Sequence, residues 1–238
     1  MISFIIPCHN EEKNIKNTLT ELFTAIKKLK LRFYEIIIVD DLCTDETIKK
    51  ANNFSKKNKI KIRVIKNKKN LGYGGAVKEG IKKSKKKFIM WLPGDDGFEY
   101  KQYLKIIPNI KKFDIVGSYF ANAKERTAYR RFFTSFYTPL LNLIFGLKLP
   151  YYNGLTIFRT DILKKIDIKF DSHIFQVEIW CKIKILKIKP HIKFVKLRNR
   201  EEGQVSEAFR FKNSIKVLFC FLYLTLYSLL YRIKLNLF

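Results

Sequence analysis

The chain has 238 residues, of which 47% are hydrophobic and 15% aromatic, and this much apolar material excludes an intrinsically disordered protein. Its formal charge of +27 would suit a nucleic-acid binder, but the lysines are spread through every segment and no recognised nucleic-acid motif accompanies them, so no nucleic-acid partner is expected. The four cysteines lie far apart without a C-x-x-C pair, which excludes a zinc knuckle and a disulfide framework.

The first half of the chain alternates predicted strands and helices. Short apolar runs end in Pro, Asp or Gly, which is typical of parallel strands buried on both faces. Apolar residues at helical spacing between them predict helices, the first capped by Asn10 and the second by Thr44. Strands are predicted at 2–6, 35–39, 60–64, 88–92 and 113–117, and helices at 15–29, 44–54, 75–85 and 100–112. This order predicts an α/β fold with a mainly parallel open sheet flanked by helices.

The second half is less regular and contains neither a repeat nor a linker. Helices are predicted at 126–145, 161–166 and 175–187, and strands at 152–158 and 192–197. The first residues lack a basic leader and a long apolar stretch, so no signal peptide is expected.

The residues from 217 to 231 are almost wholly apolar and lie between basic residues. As a helix they would extend roughly 22 Å, short of the roughly 30 Å hydrocarbon core of a membrane. We therefore predict a membrane-associated helical segment at 211–238, in contact with the membrane surface through 214–231 and either peripheral or shortly inserted. A last core helix of the soluble domain is the alternative.

Two acidic pairs, Asp40-Asp41 and Asp95-Asp96, each follow an apolar strand. Ligands of open α/β sheets bind at the carboxyl ends of the strands, so the two pairs are expected to converge there. Carboxylates together with the oxygens of a nucleotide diphosphate suit Mg²⁺ or Mn²⁺. A glycine-rich turn at 70–75 opens a helix, where phosphate binds readily. Turn chemistry alone would also explain each of these features.

Four blocks of sequence carry a family resemblance: IIPCHNEEKNI at 5–15, EIIIVDDLCTDET at 35–47, NLGYGGAVKEGI at 70–81 and LPGDDGFE at 92–99. With them the chain resembles a family 2 glycosyltransferase of the GT-A fold, near the dolichyl-phosphate mannose synthase branch. The resemblance extends over about residues 1–210, strongly in the first half. It implies a nucleotide-diphospho-sugar transferase domain at 1–210.

The same resemblance implies roles for individual residues. Asp95 would be the last carboxylate of the D-x-D metal motif and act in catalysis, with Asp96 as a second metal ligand. Pro93 stands where the family has the first Asp of that motif, and Gly97 stands where Gln often follows. The nucleotide sugar would be bound by Pro7, Asn10, Glu11, Asp40, Asp41, Gly75, Asp95 and Asp96.

The acceptor decides whether a base is needed, because an acceptor anion requires only alignment and charge stabilisation. Glu178 is the candidate catalytic base, since the fold often offers an acid at this helix start. Arginine can bind phosphate in a bidentate manner, although a solvated basic face would explain the same residues. The candidates for acceptor-phosphate binding are Arg126, Arg130, Arg131, Arg198, Arg200 and Ser206.

The sequence thus favours transfer of a hexose from a GDP- or UDP-sugar to a polyprenyl phosphate at the cytoplasmic face of the membrane. One alternative is a glycosyltransferase that extends a cell-surface polysaccharide or a lipid-linked glycan, with Glu178 or another acid as a true base. A second is a non-catalytic nucleotide-sugar-binding protein, which the loss of the first metal-motif acid at Pro93 would permit.

Overall fold

The computed structural model describes residues 1–120, 128–172, 174–198 and 211–236, and within 128–135, 211–218 and 232–236 it describes the backbone alone. In these ranges seven strands form one sheet. The strands are β1 (Ile2–Cys8), β2 (Tyr34–Asp40), β3 (Ile62–Lys66), β4 (Phe88–Trp91), β5 (Ile115–Phe120), β6 (Ile157–Arg159) and β7 (Ile192–Leu197).

The strand order is β3-β2-β1-β4-β6-β5-β7. Neighbouring strands are parallel except where β6 runs antiparallel to β4 and β5. The predicted α/β class with a mainly parallel sheet is therefore confirmed. Cys8 pairs with Asp40 across β1 and β2, and Ile5 pairs with Trp91 across β1 and β4. The carboxyl ends of β2 and β4 thus lie on either side of the end of β1.

Helices cover both faces of the sheet, and β1 supplies side chains to both cores. Ile5 points into the core that contains α3 and α7, whereas Phe4 points into the core that contains α1 and α4. The helices are α1 (Ile15–Lys28), α2 (Thr47–Asn58), α3 (Gly72–Lys83), α4 (Tyr100–Ile106), α5 (Ala128–Phe145), α6 (Thr160–Lys164), α7 (Phe175–Ile185) and α8 (Phe211–Asn236), with a 3₁₀ helix at Ile107–Lys111.

The first helix begins at Ile15 as predicted but without its predicted cap, and the second begins at Thr47 rather than at 44. The segment before α1 is bound to the start of α2 and to the loop before it, because Glu11 N donates to Thr47 Oγ1 at 2.7 Å and Glu12 N donates to Asp45 Oδ2 at 3.0 Å. Thr44 caps no helix, and its backbone N instead donates to Asn10 Oδ1 at 2.8 Å. The predicted caps at Asn10 and Thr44 were therefore wrong, since these residues join the two loops.

The C-terminal helix α8 has one packed face and one exposed face. Cys220 and Leu224 are buried, and Phe221 packs edge-on against Phe145 of α5 at 6.4 Å between ring centroids. Among the described residues, no helix combines the length and the apolar character needed to cross a membrane. The burial of Cys220 and Leu224 shows that one face of α8 packs on the core, and membrane association stays a prediction. The exposed face carries Phe219, Leu222, Leu226, Leu229 and Leu230, each more than half exposed.

Gly154 allows a close approach between the loop before β6 and strand β5. A Cβ atom at this position would lie 2.1 Å from the backbone oxygen of Ser118. Because a backbone atom of a central strand cannot move aside cheaply, Gly154→Ala is expected to lower the free energy of unfolding by about 2–3 kcal/mol. Urea denaturation measures this loss, with Asn153→Ala, an exposed neighbour, as control. Equal unfolding midpoints for the two variants would contradict the prediction.

Candidate active site

Asp40 and Asp41 lie at the end of β2 and are almost fully buried, with exposed fractions of 5% and 2%. Asp40 Oδ1 accepts a hydrogen bond from Cys43 N at 2.8 Å, which closes the turn after the strand. The backbone N of Asp41 donates to Cys8 O at 2.9 Å, so the end of β2 is fixed to the end of β1. The sequence correctly predicts the position of this pair at the carboxyl edge of the sheet.

The carboxylate of Asp41 organises the glycine-rich turn at 70–75. Its Oδ1 accepts from Asn67 Nδ2 at 2.7 Å and from Leu71 N at 2.9 Å, and its Oδ2 accepts from Gly72 N at 2.9 Å. Gly72 has a φ of 71°, a conformation that glycine adopts without strain. Asp41 therefore sets where α3 begins. No pattern in the sequence marks Asn67, which completes this set of donors.

The two glycines that follow permit a close contact within the protein itself. Gly74 N and Gly75 N donate to the backbone oxygen of Asp171 at 2.7 and 3.3 Å. A Cβ at Gly74 would lie 2.7 Å from the carbonyl carbon of Asp171, and one at Gly75 would lie 2.6 Å from Leu71 Cβ. These contacts indicate that both glycines are needed for close packing within the protein, which favours the turn explanation over a phosphate-binding role. A contact between Gly75 and a nucleotide sugar stays a prediction.

The loop after β1 lies between the two acidic loops. Pro7 is buried, whereas His9 and Asn10 are exposed. The Nδ1 atom of His9 donates to the backbone oxygen of Asp41 at 2.7 Å. On the other side, a Cβ at Gly94 would lie 3.2 Å from Glu11 Cγ. The structure thus brings the motif loops of β1, β2 and β4 to one edge of the sheet, as the sequence predicts.

The loop after β4 presents Asp95 and Asp96, and helix α1 holds it in place. Thr18 Oγ1 donates to Gly94 O at 3.0 Å and accepts from Asp96 N at 3.0 Å. Asp95 Oδ1 accepts from Gly97 N at 3.1 Å. Burial raises the pKa of the Asp95 carboxyl, and the nearby charge of Asp96 adds to this rise. A partly buried carboxylate with a raised pKa is one that a bound cation would stabilise.

The donor atoms at this loop suit a divalent cation. Mg²⁺ is usually held by one or two carboxylates and fills its other positions with water and substrate phosphate oxygens, and Asp95 and Asp96 offer two such carboxylates. Within the described residues, no group of three or more His, Cys, Asp or Glu side chains gathers into a larger ligand set. Metal binding by Asp95 and Asp96 stays a prediction.

Glu178 lies in the first turn of α7 and is fully buried. Its carboxylate pairs with the ammonium of Lys182 at 2.7 Å and accepts hydrogen bonds from Lys169 N and Phe170 N. A base must reach the proton of its acceptor, and this carboxylate has no exposed edge. We therefore correct the interpretation of Glu178 as the catalytic base. The sequence signal for its real environment is Lys182 four residues later, on the same helix face.

The predicted acceptor-phosphate residues fall largely beyond the described part of the chain. Arg126, Arg200 and Ser206 lie outside the described residues, and Arg130 and Arg131 belong to α5 in a stretch whose side chains are not described. Arg198 is described, and its backbone oxygen accepts a hydrogen bond from Gln102 Nε2. A role of these residues in phosphate binding stays a prediction.

Comparison with protein families gives a match over residues 3–167 to the model described as glycosyl transferase family 2. A dolichyl-phosphate beta-glucosyltransferase of Dictyostelium discoideum is 34% identical over 122 residues, which is 48% of this chain and 37% of that protein. A dodecaprenyl-phosphate galacturonate synthase of Rhizobium johnstonii is 24% identical over 177 residues, which is 73% of this chain and 52% of that protein. The chain therefore spans between about a third and about half of the length of these two relatives.

A solved structure shares the fold. It is glucosyl-3-phosphoglycerate synthase from Mycobacterium tuberculosis in complex with Mn²⁺, uridine diphosphate and phosphoglyceric acid. The TM-score is 0.69 at 16% sequence identity, and the match covers 94% of this chain and 78% of that chain. At this identity the likeness shows the fold alone, and it agrees with the GT-A architecture that the sequence predicts.

Proposed function

The chain belongs to glycosyl transferase family 2, and from this premise we propose that it transfers a hexose from a GDP- or UDP-sugar to a polyprenyl phosphate. The observation that carries the proposal is that the three motif loops meet at the carboxyl edge of the sheet. Asp41 holds the glycine-rich turn on one side of β1, and Asp95 lies on the opposite side. The two lipid-phosphate relatives support the class of acceptor.

On the donor side, the proposed chemistry depends on the loop after β4. Asp95 and Asp96 would hold Mg²⁺ or Mn²⁺, which neutralises charge that develops on the leaving diphosphate. Asp40, Asp41 and the loop of Asn10 and Glu11 would surround the nucleoside. These residues orient the donor so that its anomeric carbon faces the acceptor.

On the acceptor side, an oxygen of the lipid phosphate attacks the anomeric carbon as the bond to the nucleoside diphosphate breaks. The new bond forms on the opposite face of the sugar, so the configuration inverts. A phosphate oxygen is already an anion and has no proton to lose, so no base is needed. The burial of Glu178 favours this acceptor over a glycan hydroxyl, because the candidate base for a hydroxyl is tied to Lys182.

The proposed location is the cytoplasmic face of the cell membrane, reached through residues 214–231. The exposed apolar side chains of α8 include Phe219, Leu222 and Leu226. On α5, Leu143 is 81% exposed and Phe136 64% exposed. Apolar helix faces of this kind enter the boundary between headgroups and acyl chains, and a chain of charge +27 is attracted to anionic lipids.

The test is a transfer reaction with labelled GDP- and UDP-sugars, polyprenyl phosphate in detergent micelles, and Mg²⁺ or Mn²⁺. We expect label to enter the organic phase from one donor and to depend on the metal. The matched control is the free polyprenol, which lacks the phosphate and should stay unlabelled. No lipid-soluble label from any donor would reject the proposal. In that case nucleotide binding without turnover would support the non-catalytic alternative, and label in a glycan would support the polysaccharide alternative.

A further inference from the structure

A segment between α6 and α7, residues 167–171, is held by α7 on one side. We call it the bridging segment. The buried pair formed by Glu178 and Lys182 makes these contacts, and both side chains are at most 1% exposed. Glu178 accepts from Lys169 N at 2.9 Å and from Phe170 N at 3.0 Å, and Lys182 Nζ donates to Asp167 O at 2.5 Å.

The same bridging segment is held by α3 on its other side. The backbone oxygen of Asp171 accepts from Gly74 N and Gly75 N, and the carboxylate of Asp171 pairs with Lys78. Lys78 Nζ also donates to the backbone oxygens of residues 168 and 169 at 3.3 Å each. The bridging segment therefore connects α7 to the first turn of α3, directly after the glycine-rich turn that Asp41 holds.

Helix α8 contacts this connection through two tyrosines. Lys182 Nζ donates to Tyr223 Oη at 3.1 Å, and it lies 5.1 and 4.9 Å from the ring centroids of Tyr223 and Tyr227. The ring of Tyr223 also packs edge-on against Phe170 of the bridging segment, with 5.5 Å between centroids. The C-terminal helix, the buried pair and the bridging segment thus form one contiguous set of contacts.

A buried ion pair adds little net stability, because desolvation of the two charges opposes their attraction. Its hydrogen bonds are directional, however, and here each partner also binds the backbone of the bridging segment. Apolar side chains of similar size could fill the same space, but they could not fix the backbone N–H and C=O groups in register. The pair is therefore suited to set a position rather than to add stability.

We infer that Glu178 and Lys182 are positioning residues that fix the first turn of α3, and with it the glycine-rich turn of the donor site. They also couple the position of this turn to the packing of α8 against the domain. The inference rests on the proposed function only in taking the turn as part of a nucleotide-sugar site. Packing of α8 against the domain would then strengthen donor binding.

The test compares Lys182→Met with Lys184→Met, an exposed lysine of the same helix. Amide hydrogen exchange at Gly74 and Gly75 reports the position of the turn, and calorimetry with UDP and GDP reports nucleotide affinity. In Lys182→Met we expect faster exchange at both glycines and about tenfold weaker nucleotide binding. The KM for the donor should rise more than kcat falls. Lys184→Met should match the wild type in all of these measurements.

Lys182→Met leaves a buried carboxylate without its partner, so two further variants complete the test. The double variant Glu178→Gln/Lys182→Met keeps the site neutral, and Tyr223→Phe removes only the hydroxyl that Lys182 contacts. Both should change exchange and affinity in the same direction, with the smaller effect in Tyr223→Phe. Unchanged exchange at Gly74 and Gly75 in these folded variants would overturn the inference, as would unchanged affinity. A wild type that binds neither nucleotide would reject the proposed function, while the exchange data would still decide whether the pair positions the turn.

Discussion

Asp95→Asn is expected to lower the rate of sugar transfer by about 100-fold or more, and at the same time to make the free protein more stable. The loss of rate follows from removal of a carboxylate that would hold the cation at the leaving diphosphate. The gain in stability follows from burial, which raises the pKa of this carboxyl and so opposes its ionised form in the folded state. Transfer assays and urea denaturation in the presence of EDTA measure the two effects separately.

The sign of the pH dependence follows from the same shift. The pKa of Asp95 is higher in the folded chain than its value of about 3.9 in the unfolded chain. Between the two pKa values the folded state binds more protons, so the contribution of Asp95 to stability falls as pH rises through this interval. Because asparagine does not ionise, the stability of the Asp95→Asn variant should not include this decrease with rising pH. Its advantage over the wild type should therefore be present at neutral pH and vanish below about pH 3.

Asp96→Asn is the matched control on the adjacent residue. The backbone N of Asp96 keeps its hydrogen bond to Thr18 in this variant, so the loop should retain its position. We expect a smaller loss of transfer than in Asp95→Asn. If Asp95→Asn retained full metal-dependent transfer, the assignment of Asp95 as the principal metal ligand would be refuted.

The sequence predicts the central strands well because their residues face apolar cores on both sides of the sheet. Strands β1, β2 and β4 are short and nearly continuous apolar runs. Asp40 ends β2, whereas β1 continues through Pro7 to Cys8. The same pattern places Asp40, Asp41, Asp95 and Asp96 at one edge. This part of the candidate site needs only the general rule that parallel strands have their carboxyl ends together.

The sequence does not predict those element boundaries at which distant segments of the chain are in contact. Helix α2 begins at Thr47 rather than at 44, and the backbone N of Thr44 donates to Asn10 Oδ1 instead. The strand predicted at 152–158 is shortened to β6, and Gly154, before β6, packs against Ser118 of β5. In both places the local pattern is compatible with a longer element, and a residue far along the chain contacts the segment that the element leaves out.

The role of Glu178 is also not predicted from the local sequence. As an acid at a helix start, in a family with an acid near this position, it suggested a base. Every residue of α7 from Phe175 to Ile183 is buried, however. A charged residue in such a helix needs a partner of opposite charge. The spacing of Lys182 four residues after Glu178 predicts this partner, whereas no sequence pattern predicts the hydrogen bonds to the backbone of the bridging segment.

Asp41→Asn is expected to have the second large effect, because this carboxylate accepts three hydrogen bonds at the glycine-rich turn. The amide oxygen can still accept from Asn67 and Leu71, but the amide nitrogen would face Gly72 N, which is also a donor. Gly72 N would keep only its hydrogen bond to Asn70 Oδ1. The loss of its charged acceptor should lower the free energy of unfolding by about 2 kcal/mol. Urea denaturation and calorimetry with UDP and GDP measure the losses of stability and of nucleotide affinity.

Asp40→Asn provides the matched comparison, because the amide oxygen of its asparagine can keep the hydrogen bond from Cys43 N. The turn at Gly72 should stay closed in this variant, and stability should fall less. Any loss of nucleotide affinity in Asp40→Asn would then report a contact with the nucleoside rather than a displaced turn. In Asp41→Asn, faster amide exchange at Gly72 should accompany the weaker binding. Weaker binding with unchanged exchange at Gly72 would instead mean that Asp41 acts on the nucleotide directly.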